Sequence, residues 1–486
     1  MVADHRYKAR EGELLKRTAR IAGCAGLLLL ATIFLSVSVL PVPSYAASFR
    51  ILDQGAAAAG QSDAFTAQAD DPSAIYYNPA GMTQLPGVQT YIGTTLIGGS
   101  TSFTSPAGVN ARGDFGGSVA YPPPSNLYVT ANLRDLGATS PWLSRMALGV
   151  GLNFPFGTKF RWPENGPFAT AVTTAALQLL DIKPTIAYKV TDRFSIGLGM
   201  DIYTFSSLIG EGHYETRLIG SPGLGPLAGA SLEINGRDTA LGFNASFLYT
   251  PCVNADGKPI CSIGFVYRSQ ATLHLDGQFR ANGGLVSDAS TTLVLPQVFT
   301  GGIALWPVRD REREWKLEFD VDYTGWKSIR NLDVHTTSPF GTIPFPQNYR
   351  SGYTVMIGTE YKWLHPERLP NWEIALRGGY WNSQAPSPDS SFNPAIQDAD
   401  NHSISVGLGF LCKGGGRFLG LFECGRADGG SKFRPTAVGL DLAYKALLYE
   451  TRTVTGNQNP IAIPGSVNGT YQSIFHVGSV NLRVNF

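Results

Sequence analysis

Histidine and serine, the residue types that most often carry out catalysis, show no arrangement that supports it here. The seven histidines are scattered over 486 residues, and no two stand at the spacing of metal ligands. Three histidines could be part of a catalytic site by their positions, namely His274, His402 and His476. No nucleophile motif of the form G-x-S-x-G lies beside them. The sequence therefore predicts no enzyme, no metal centre and no cofactor.

The N-terminus has the features of an export signal. A basic head precedes an uncharged apolar stretch, residues 21–40, and Pro41 and Pro43 then end any helix. Ser44-Tyr45-Ala46 is a small-x-small cleavage pattern, so residues 1–46 are predicted to be a secretory signal. The alternative is an uncleaved anchor, because about 20 apolar residues can span a bilayer.

The composition favours a large β-protein. The formal net charge is +1 and only 15% of residues are charged, below the roughly 25% of a typical soluble domain. There is no concentrated basic face, so we expect no nucleic-acid partner. The 56 glycines and a mean hydropathy of −0.02 suit a barrel whose apolar surface alternates along each strand.

Strand-like alternation dominates the chain from Val88 onward. Between Trp315 and Tyr323 every odd position is apolar and every even position is Lys, Glu or Asp. Residues 194–202 alternate in the same way, with Ser, Gly and Asp on the polar face. Successive side chains of a strand point to opposite sides, so each such strand has one apolar and one polar face.

Three further features favour a membrane barrel over a soluble sandwich. Aromatic residues cap the apolar faces at both ends, as Trp315 and Tyr323 do. The last strand ends with Phe486, a terminal aromatic that we expect barrel insertion machinery to recognise. Short and long connections alternate, as in bacterial barrels. The predicted fold is all-β, a 14-stranded antiparallel transmembrane β-barrel, with strands that begin near Val88, Ser125, Arg145, Leu179, Phe194, Thr239, Cys261, Val298, Trp315, Tyr353, Trp372, His402, Thr436 and Ser473.

The four cysteines that follow the leader fall in two of the even-numbered connections. An even count in an exported chain indicates disulfides. We expect two local, periplasmic disulfides, Cys252–Cys261 and Cys412–Cys424. The alternative is four free or cross-paired thiols.

Residues 47–87 precede the barrel, residues 88–486, and do not alternate. Fourteen strands enclose more space than inward side chains fill, since about eight strands is the limit. The segment combines a Gly-Ala run, residues 55–60, with apolar aromatics and the turn-forming sequence Asn78-Pro79-Ala80-Gly81. We expect it to form a plug (hatch) inside the lumen. A disordered arm is the alternative, but the segment is too apolar for one.

With these features the chain resembles the FadL-type long-chain fatty-acid and hydrocarbon transporters of Gram-negative outer membranes. The resemblance is carried, in order along about 400 residues, by Asn78-Pro79-Ala80, residues 182–199, residues 263–269, residues 322–326, and residues 376–380 with Pro386, Pro388 and Asp389. The long basic leader and the Cys412/Cys424 pair depart from the family pattern. Neither departure bears on the fold.

The resemblance implies a gate and a lateral exit. By position, Ser48 and Phe49 would be the plug's N-terminus, which moves when substrate binds. A kink in strand three would open the barrel wall, and it would involve Gly149, Gly151 and Pro155. Pro155 could instead simply end the strand. Asn78, Pro79 and Ala80 would belong to the plug's gating motif, or to a turn that never moves.

Loop aromatics supply a further hypothesis. Phe156, Phe160, Trp162 and Phe168 could form an outer groove that captures substrate. They could equally be interfacial anchors.

The resemblance implies passive, ligand-gated transport of hydrophobic compounds, with outer-membrane lipid and lipopolysaccharide around a monomer. The cargo could be a fatty acid, an alkane or a monoaromatic. The alternatives are a general porin, against which the plug segment argues, and an adhesin, which the long loops would allow.

Overall fold

Fourteen antiparallel strands close into a barrel in the computed structural model, which describes residues 48–337, 340–396, 398–420, 422–425 and 435–486. The predicted export signal, residues 1–46, lies outside the described residues. The barrel strands are β1 (Val88–Thr104), β2 (Ser125–Asn132), β3 (Met146–Arg161), β4 (Thr174–Thr191), β5 (Phe194–Thr204), β6 (Ala240–Val253), β7 (Pro259–Arg268), β8 (Val298–Arg309), β9 (Arg313–Thr324), β10 (Gly352–Trp363), β11 (Trp372–Ser383), β12 (Asn401–Lys413), β13 (Ala437–Tyr449) and β14 (Gly469–Asn485).

Each strand pairs with its sequence neighbours, and the last strand pairs with the first. The β14–β1 register runs from Gln89 opposite Asn485 to Thr104 opposite Thr470. This pairing closes the sheet and leaves no free edge at the seam. The predicted fold class is confirmed.

The barrel is inside-out relative to a soluble protein. On β9 the charged face, which includes Lys316 and Asp320, is buried. On β12 the apolar residues Ile404 and Val406 are 55% and 56% exposed, whereas Ser405 between them is 3% exposed. Because exposed apolar faces of this extent are costly in water, the outer surface suits lipid.

Aromatic rings form a belt on the outer surface near the loop ends of five adjacent strands. The ring centroids of Phe243 and Tyr267 are 5.7 Å apart, and those of Tyr267 and Phe299 are 4.9 Å apart. Tyr323 and Tyr353 continue the row, with centroids 5.1 Å apart. Aromatic girdles of this kind mark a membrane interface.

Connections at one end of the barrel are mostly short, with the β2–β3 and β12–β13 connections as exceptions, and those at the other end carry structure of their own. Asp192 and Arg193 alone join β4 to β5. Outside the barrel wall lie the short strands Asn110–Val119, Tyr214–Ile219, Ser231–Gly236, Ala271–Ala281, Gly284–Leu295, Val334–Thr336, Thr342–Ile343, Gly416–Phe418, Phe422–Cys424 and Arg452–Val454. The remaining elements are the 3-10 turns Leu143–Arg145, Pro222–Leu227, Trp326–Ser328 and Asp389–Ser391. Residues 276–297, expected from the sequence to be a long connection before the strand at Val298, lie largely in the hairpin Ala271–Ala281/Gly284–Leu295.

Residues 48–87 contact the inward-facing side chains of the wall, as a plug does. They include the helices Ala56–Ala59 and Ala74–Tyr77 and the 3-10 helix Pro79–Gln84. Asp320 Oδ2 accepts hydrogen bonds from the Phe65 and Thr66 N–H groups at 3.0 and 2.9 Å. These polar contacts explain why charged residues face inward. No helix among the described residues is long and apolar enough to cross a membrane.

Of the two predicted disulfides, one is present. Cys412 and Cys424 are bonded, with both sulfurs buried. Cys252 and Cys261 are free thiols, which corrects the expectation. They lie directly opposite each other, but the β6–β7 register shifts on both sides of Cys261. That irregularity alters the side-chain directions on which disulfide geometry depends.

Candidate functional site

The first described residues of the plug, residues 48–51, form what we call the gate segment. The Ile51 N–H donates to the Pro155 carbonyl at 2.9 Å, and the Gly157 N–H donates to the Phe49 carbonyl at 2.8 Å. Phe156 completes this short antiparallel bridge opposite Arg50. The gate segment is therefore hydrogen-bonded to β3 itself.

The gate segment binds the edge of β3 that β2 leaves free. The regular β2–β3 pairing ends at Leu127 opposite Leu152. Beyond Leu152, residues 153–160 of β3 have no β2 partner in the described wall, and we call this the wall gap. The β3–β4 register also shifts, between Asn153 and Phe156. Because the backbone groups of a strand alternate between its two edges, residues 155 and 157 point away from β4 and toward the gap.

Phe49 lies at the centre of an aromatic cluster. Its ring centroid is 5.0 Å from that of Trp326 in an edge-on contact and 6.0 Å from that of Phe156. All three residues are buried. Such ring pairs contribute beyond their buried area, so the position of Phe49 is well defined.

Arg50 joins the gate segment to the far wall. Its Nη1 lies 2.6 Å from Asp322 Oδ1 and 2.9 Å from Thr324 Oγ1. Asp322 also accepts from Thr300 Oγ1 at 2.8 Å. Both members of the ion pair are buried, and removing one would leave an unpaired charge.

An outer cavity of about 110 Å³ lies among the long loops. Its apolar lining is Phe49, Leu218, Ile234, Leu275, Leu293, Val334, Phe345, Ile396 and Ile461. The other described lining residues are alanines, Leu177, Leu332 and neutral polar side chains, so no charged residue lines it. The outer cavity is suited to an uncharged apolar molecule.

An inner cavity of about 150 Å³ lies on the other side of Phe49, next to the wall gap. Its apolar lining includes Ile97, Phe115, Phe154, Phe156, Phe160, Leu177, Leu447, Phe475 and the turn residues Pro122, Pro123 and Pro124. Phe49 lines both cavities. Thr158 and Leu177 also line both cavities, and Phe49 is the aromatic ring between them.

The charged residues of the inner cavity all have partners. Arg50 is paired with Asp322, and Asp53 lies 2.6 Å from Lys445 Nζ. Lys159 donates to the Tyr121 carbonyl at 2.6 Å. No described cation in the lining is thus left for a carboxylate.

A charged layer lies on the side of the inner cavity away from the loops. Asp181, Lys183 and Asp201, on β4 and β5, are each fully buried. Lys183 forms ion pairs with both aspartates. Leu179, two residues before Asp181, still belongs to the apolar cluster around Phe49. The transition from apolar to charged surface is thus abrupt, and an apolar molecule gains nothing by crossing it.

Gly149 and Gly151 lie in the regularly paired part of β3, below the wall gap. A Cβ at Gly149 would lie 2.7 Å from Met82 Sδ and 2.8 Å from Ile75 Cδ1. These glycines thus allow the plug to approach the wall closely. Pro155, by contrast, lies within the register shift and accepts from the gate segment.

Asn78, Pro79 and Ala80 form a plug turn against the wall. Asn78 caps the helix Pro79–Gln84, since its side-chain oxygen accepts from the Ala80 N–H at 3.2 Å. Its amide donates to the Thr66 carbonyl at 2.8 Å and to the Phe247 carbonyl at 3.0 Å. The motif therefore connects two parts of the plug to β6.

The four aromatics predicted to form an outer groove are distributed differently. Phe156 and Phe160 line the inner cavity. Trp162 and Phe168 line neither cavity; their centroids are 4.5 Å apart in a second aromatic cluster beneath the loops. All four are buried, which argues against interfacial anchors.

The residues that line the outer cavity were missed in the sequence analysis. Leu273 lies opposite Leu293 in the hairpin Ala271–Ala281/Gly284–Leu295, and Leu275 and Leu293 reach the cavity. Alternating apolar residues within 271–295 could have indicated these strands, but residues 276–297 had been assigned to a connection.

One group of possible metal ligands occurs in the outer loops. His213, Glu215 and Glu233 place ligand atoms within 4.8 Å of one another. Arg217 lies 2.7 Å from Glu215 and 3.3 Å from Glu233, and so already supplies the positive charge. We assign no metal to this group.

Known proteins share this architecture. The sequence profile described as "Outer membrane protein transport protein (OMPP1/FadL/TodX)" matches residues 37–414. No curated sequence matches the chain. Among solved structures, a FadL homologue of Pseudomonas aeruginosa is similar, with a TM-score of 0.66 and 18% identity over 90% of this chain and 100% of that one.

Two other solved structures are similar at comparable identities. The toluene transporter TodX of Pseudomonas putida has a TM-score of 0.56 and 15% identity, over 85% of this chain and 93% of that one. The toluene transporter TbuX of Ralstonia pickettii has a TM-score of 0.54 and 14% identity, over 88% and 98%. These identities show a common fold. Because the profile covers most of the chain, this protein belongs to the OMPP1/FadL/TodX family of outer membrane transport proteins.

Proposed function

We propose that this protein carries neutral hydrophobic molecules across the Gram-negative outer membrane by passive, ligand-gated diffusion. Cargo enters the outer cavity, passes Phe49, occupies the inner cavity and leaves sideways through the wall gap. The observation that carries the proposal is the position of Phe49, which lines both cavities while its backbone binds the free edge of β3.

The driving force is removal of apolar surface from water. Burial yields about 25 cal/mol per Å² of apolar area, so an apolar molecule binds the cavities without any chemistry. Passage requires that binding remain reversible and that the gate segment move. Its displacement would open the partition and the wall gap together, because one short segment closes both.

The cavities favour uncharged cargo of about one aromatic ring. No described charged residue lines the outer cavity, and the cations of the inner cavity are paired. A cavity of roughly 150 Å³ lined by apolar side chains is known to hold benzene, and the inner cavity is of that size. The similar TodX and TbuX structures are described as toluene transporters. A long acyl chain would need both cavities at once, and hence prior displacement of Phe49.

The proposed exit is sideways because the axial route is unfavourable. The buried ions around Lys183 lie beyond the inner cavity, and transferring apolar surface past them has no compensating gain. The wall gap at Pro155 leads toward lipid. In this proposal Gly149 and Gly151 support the plug, and Pro155 belongs to the opening.

Uptake of labelled compounds by cells that produce the protein tests the proposal. We expect toluene to enter faster than in cells carrying an empty vector, and palmitate to enter no faster. Rapid palmitate entry would contradict the neutral cargo class but not hydrophobic transport. No gain for either compound would contradict the transport function. The monomeric state, the lipopolysaccharide surroundings and recognition of Phe486 by insertion machinery remain proposals alongside it.

A further inference from the structure

Lys159 is the side chain that bridges the outer side of the wall gap. It belongs to β3 just beyond the register shift, and it lines the inner cavity together with Pro122, Pro123 and Pro124. Its Nζ donates to the carbonyl of Tyr121 at 2.6 Å. Tyr121 belongs to the connection between β1 and β2, on the opposite side of the gap. The bond therefore joins β3 to the connection between β1 and β2, whose strand pairing with β3 is limited, among the described residues, to Asp114 opposite Arg161.

The surroundings of Lys159 keep its ammonium group in place. Glu211 Oε1, from the connection between β5 and β6, lies 3.5 Å from Nζ. The Lys159 side chain is 20% exposed, so its stem is largely covered while its head contacts polar partners. A hydrogen bond from a charged donor is among the stronger ones in proteins.

We propose that Lys159 determines which molecules leave the inner cavity through the wall. A molecule that moves from the cavity into lipid between Lys159 and the Pro122–Pro124 turn must displace this side chain or pass beside it. Cargo of one ring passes beside the Lys159 side chain, whereas larger cargo requires the bond to the Tyr121 carbonyl to break. This inference rests on the lateral exit proposed above, and it adds the residue that sets the size limit.

The direct test replaces the charged head and keeps the stem. In Lys159→Met we expect uptake of naphthalene to rise about tenfold, the scale of one charge-assisted hydrogen bond, and the ratio of naphthalene to toluene uptake to rise with it. Lys159→Arg can still donate across the gap, and we expect it to retain the low naphthalene rate. Lys189→Met is the matched control, because Lys189 lies at the periplasmic end of β4, paired with Asp192.

The outcomes are distinguishable. Folding of both proteins is checked by the heat-dependent shift in gel mobility that folded barrels show. If both are folded, equal naphthalene uptake by wild type and Lys159→Met would overturn the inference and leave the transport function standing. If Lys159→Met fails to fold, Lys159→Gln, whose amide is too short to reach the Tyr121 carbonyl, gives the same comparison. If wild type takes up neither compound faster than the empty vector, the transport function itself fails.

Discussion

Arg50 Nη1 lies 2.6 Å from Asp322 Oδ1, and this buried ion pair joins the first residues of the plug to the barrel wall. The partners are 272 positions apart in sequence. Their side chains are only 5% and 2% exposed, so neither charge can be satisfied by bulk water if the other is removed. The pair fixes the gate segment at the place where it fills the wall gap.

Asp322→Ala is expected to release the gate segment. Breaking a buried pair by removing one partner costs about 3–5 kcal/mol, because the remaining charge stays buried. Hydrogen exchange should therefore speed up at residues 49–52 with little change on β9. Asp192→Ala, which removes an exposed carboxylate from the β4–β5 turn, is the control. Unaltered exchange at residues 49–52 would show that Arg50 does not anchor the gate.

Phe49→Ala is expected to join the two cavities. Removing a buried phenyl ring costs about 3–5 kcal/mol and leaves space that a ligand can fill. The variant should bind dodecane, which spans both cavities, more tightly than wild type in calorimetric titrations. Phe49→Leu keeps a large side chain at the partition and should resemble wild type. If dodecane binds wild type and Phe49→Ala equally, the ring does not separate the cavities.

Gly149→Leu is expected to dislodge the plug. Its Cβ would lie within 3 Å of Met82 and Ile75, so the plug must move away from the wall. Single-channel recordings should then show frequent ion conductance, whereas wild type should show no large, steady current. Gly301→Leu is the control, since a Cβ there would meet its nearest atom, on Phe265, at 3.9 Å. A large steady current through the wild type would instead favour a general porin.

Asp398 is expected to make an outer loop pH-dependent. Burial raises the pKa of its carboxyl group to about 6, with the Arg452 charge opposing the shift. The folded value exceeds the ordinary 3.8, so its contribution to stability is full below about 3.8 and is lost as the pH rises through 6. Because unprotected amides also exchange more slowly at lower pH, the rates are compared as protection factors, which in residues 384–396 should be higher at pH 5 than at pH 7. In Asp398→Asn this difference should shrink, and an undiminished difference would assign it to another group.

Replacing both Cys412 and Cys424 with serine is expected to have a local effect. The bond closes a short connection, and disulfides of this loop length contribute about 2–3 kcal/mol in the loop-entropy model. Proteolysis of the β12–β13 connection should accelerate, while toluene uptake should stay at the wild-type rate. A marked loss of uptake would place this connection in the transport route.

The barrel was predictable from sequence because its pattern is local. On β9 the alternation of Lys316, Leu317 and Glu318 indicates that one face meets lipid and the other meets polar groups. The plug followed from the absence of that alternation in residues 47–87. The outer cavity was not predictable, because Leu275, Val334 and Ile461 come from separate connections.

The assignment of roles at the gate shows the same limit. Pro155 was singled out as a strand irregularity, and a register shift occurs there. A Cβ at Gly149 or Gly151 would crowd Ile75, a contact that no strand pattern reveals, and their part in a kink stays a prediction. Phe156 and Phe160 line the inner cavity, and their role in substrate capture also stays a prediction.

By itself, the sequence determined the strands, their order and which face of each meets lipid, since side-chain direction in a strand depends only on position along it. Only the tertiary structure decided that Phe49 separates two cavities, that Arg50 pairs with Asp322, and that Lys159 crosses the wall gap. These relationships join residues brought together by barrel closure and plug insertion. Their energies depend on burial and distance, which one-dimensional spacing does not contain.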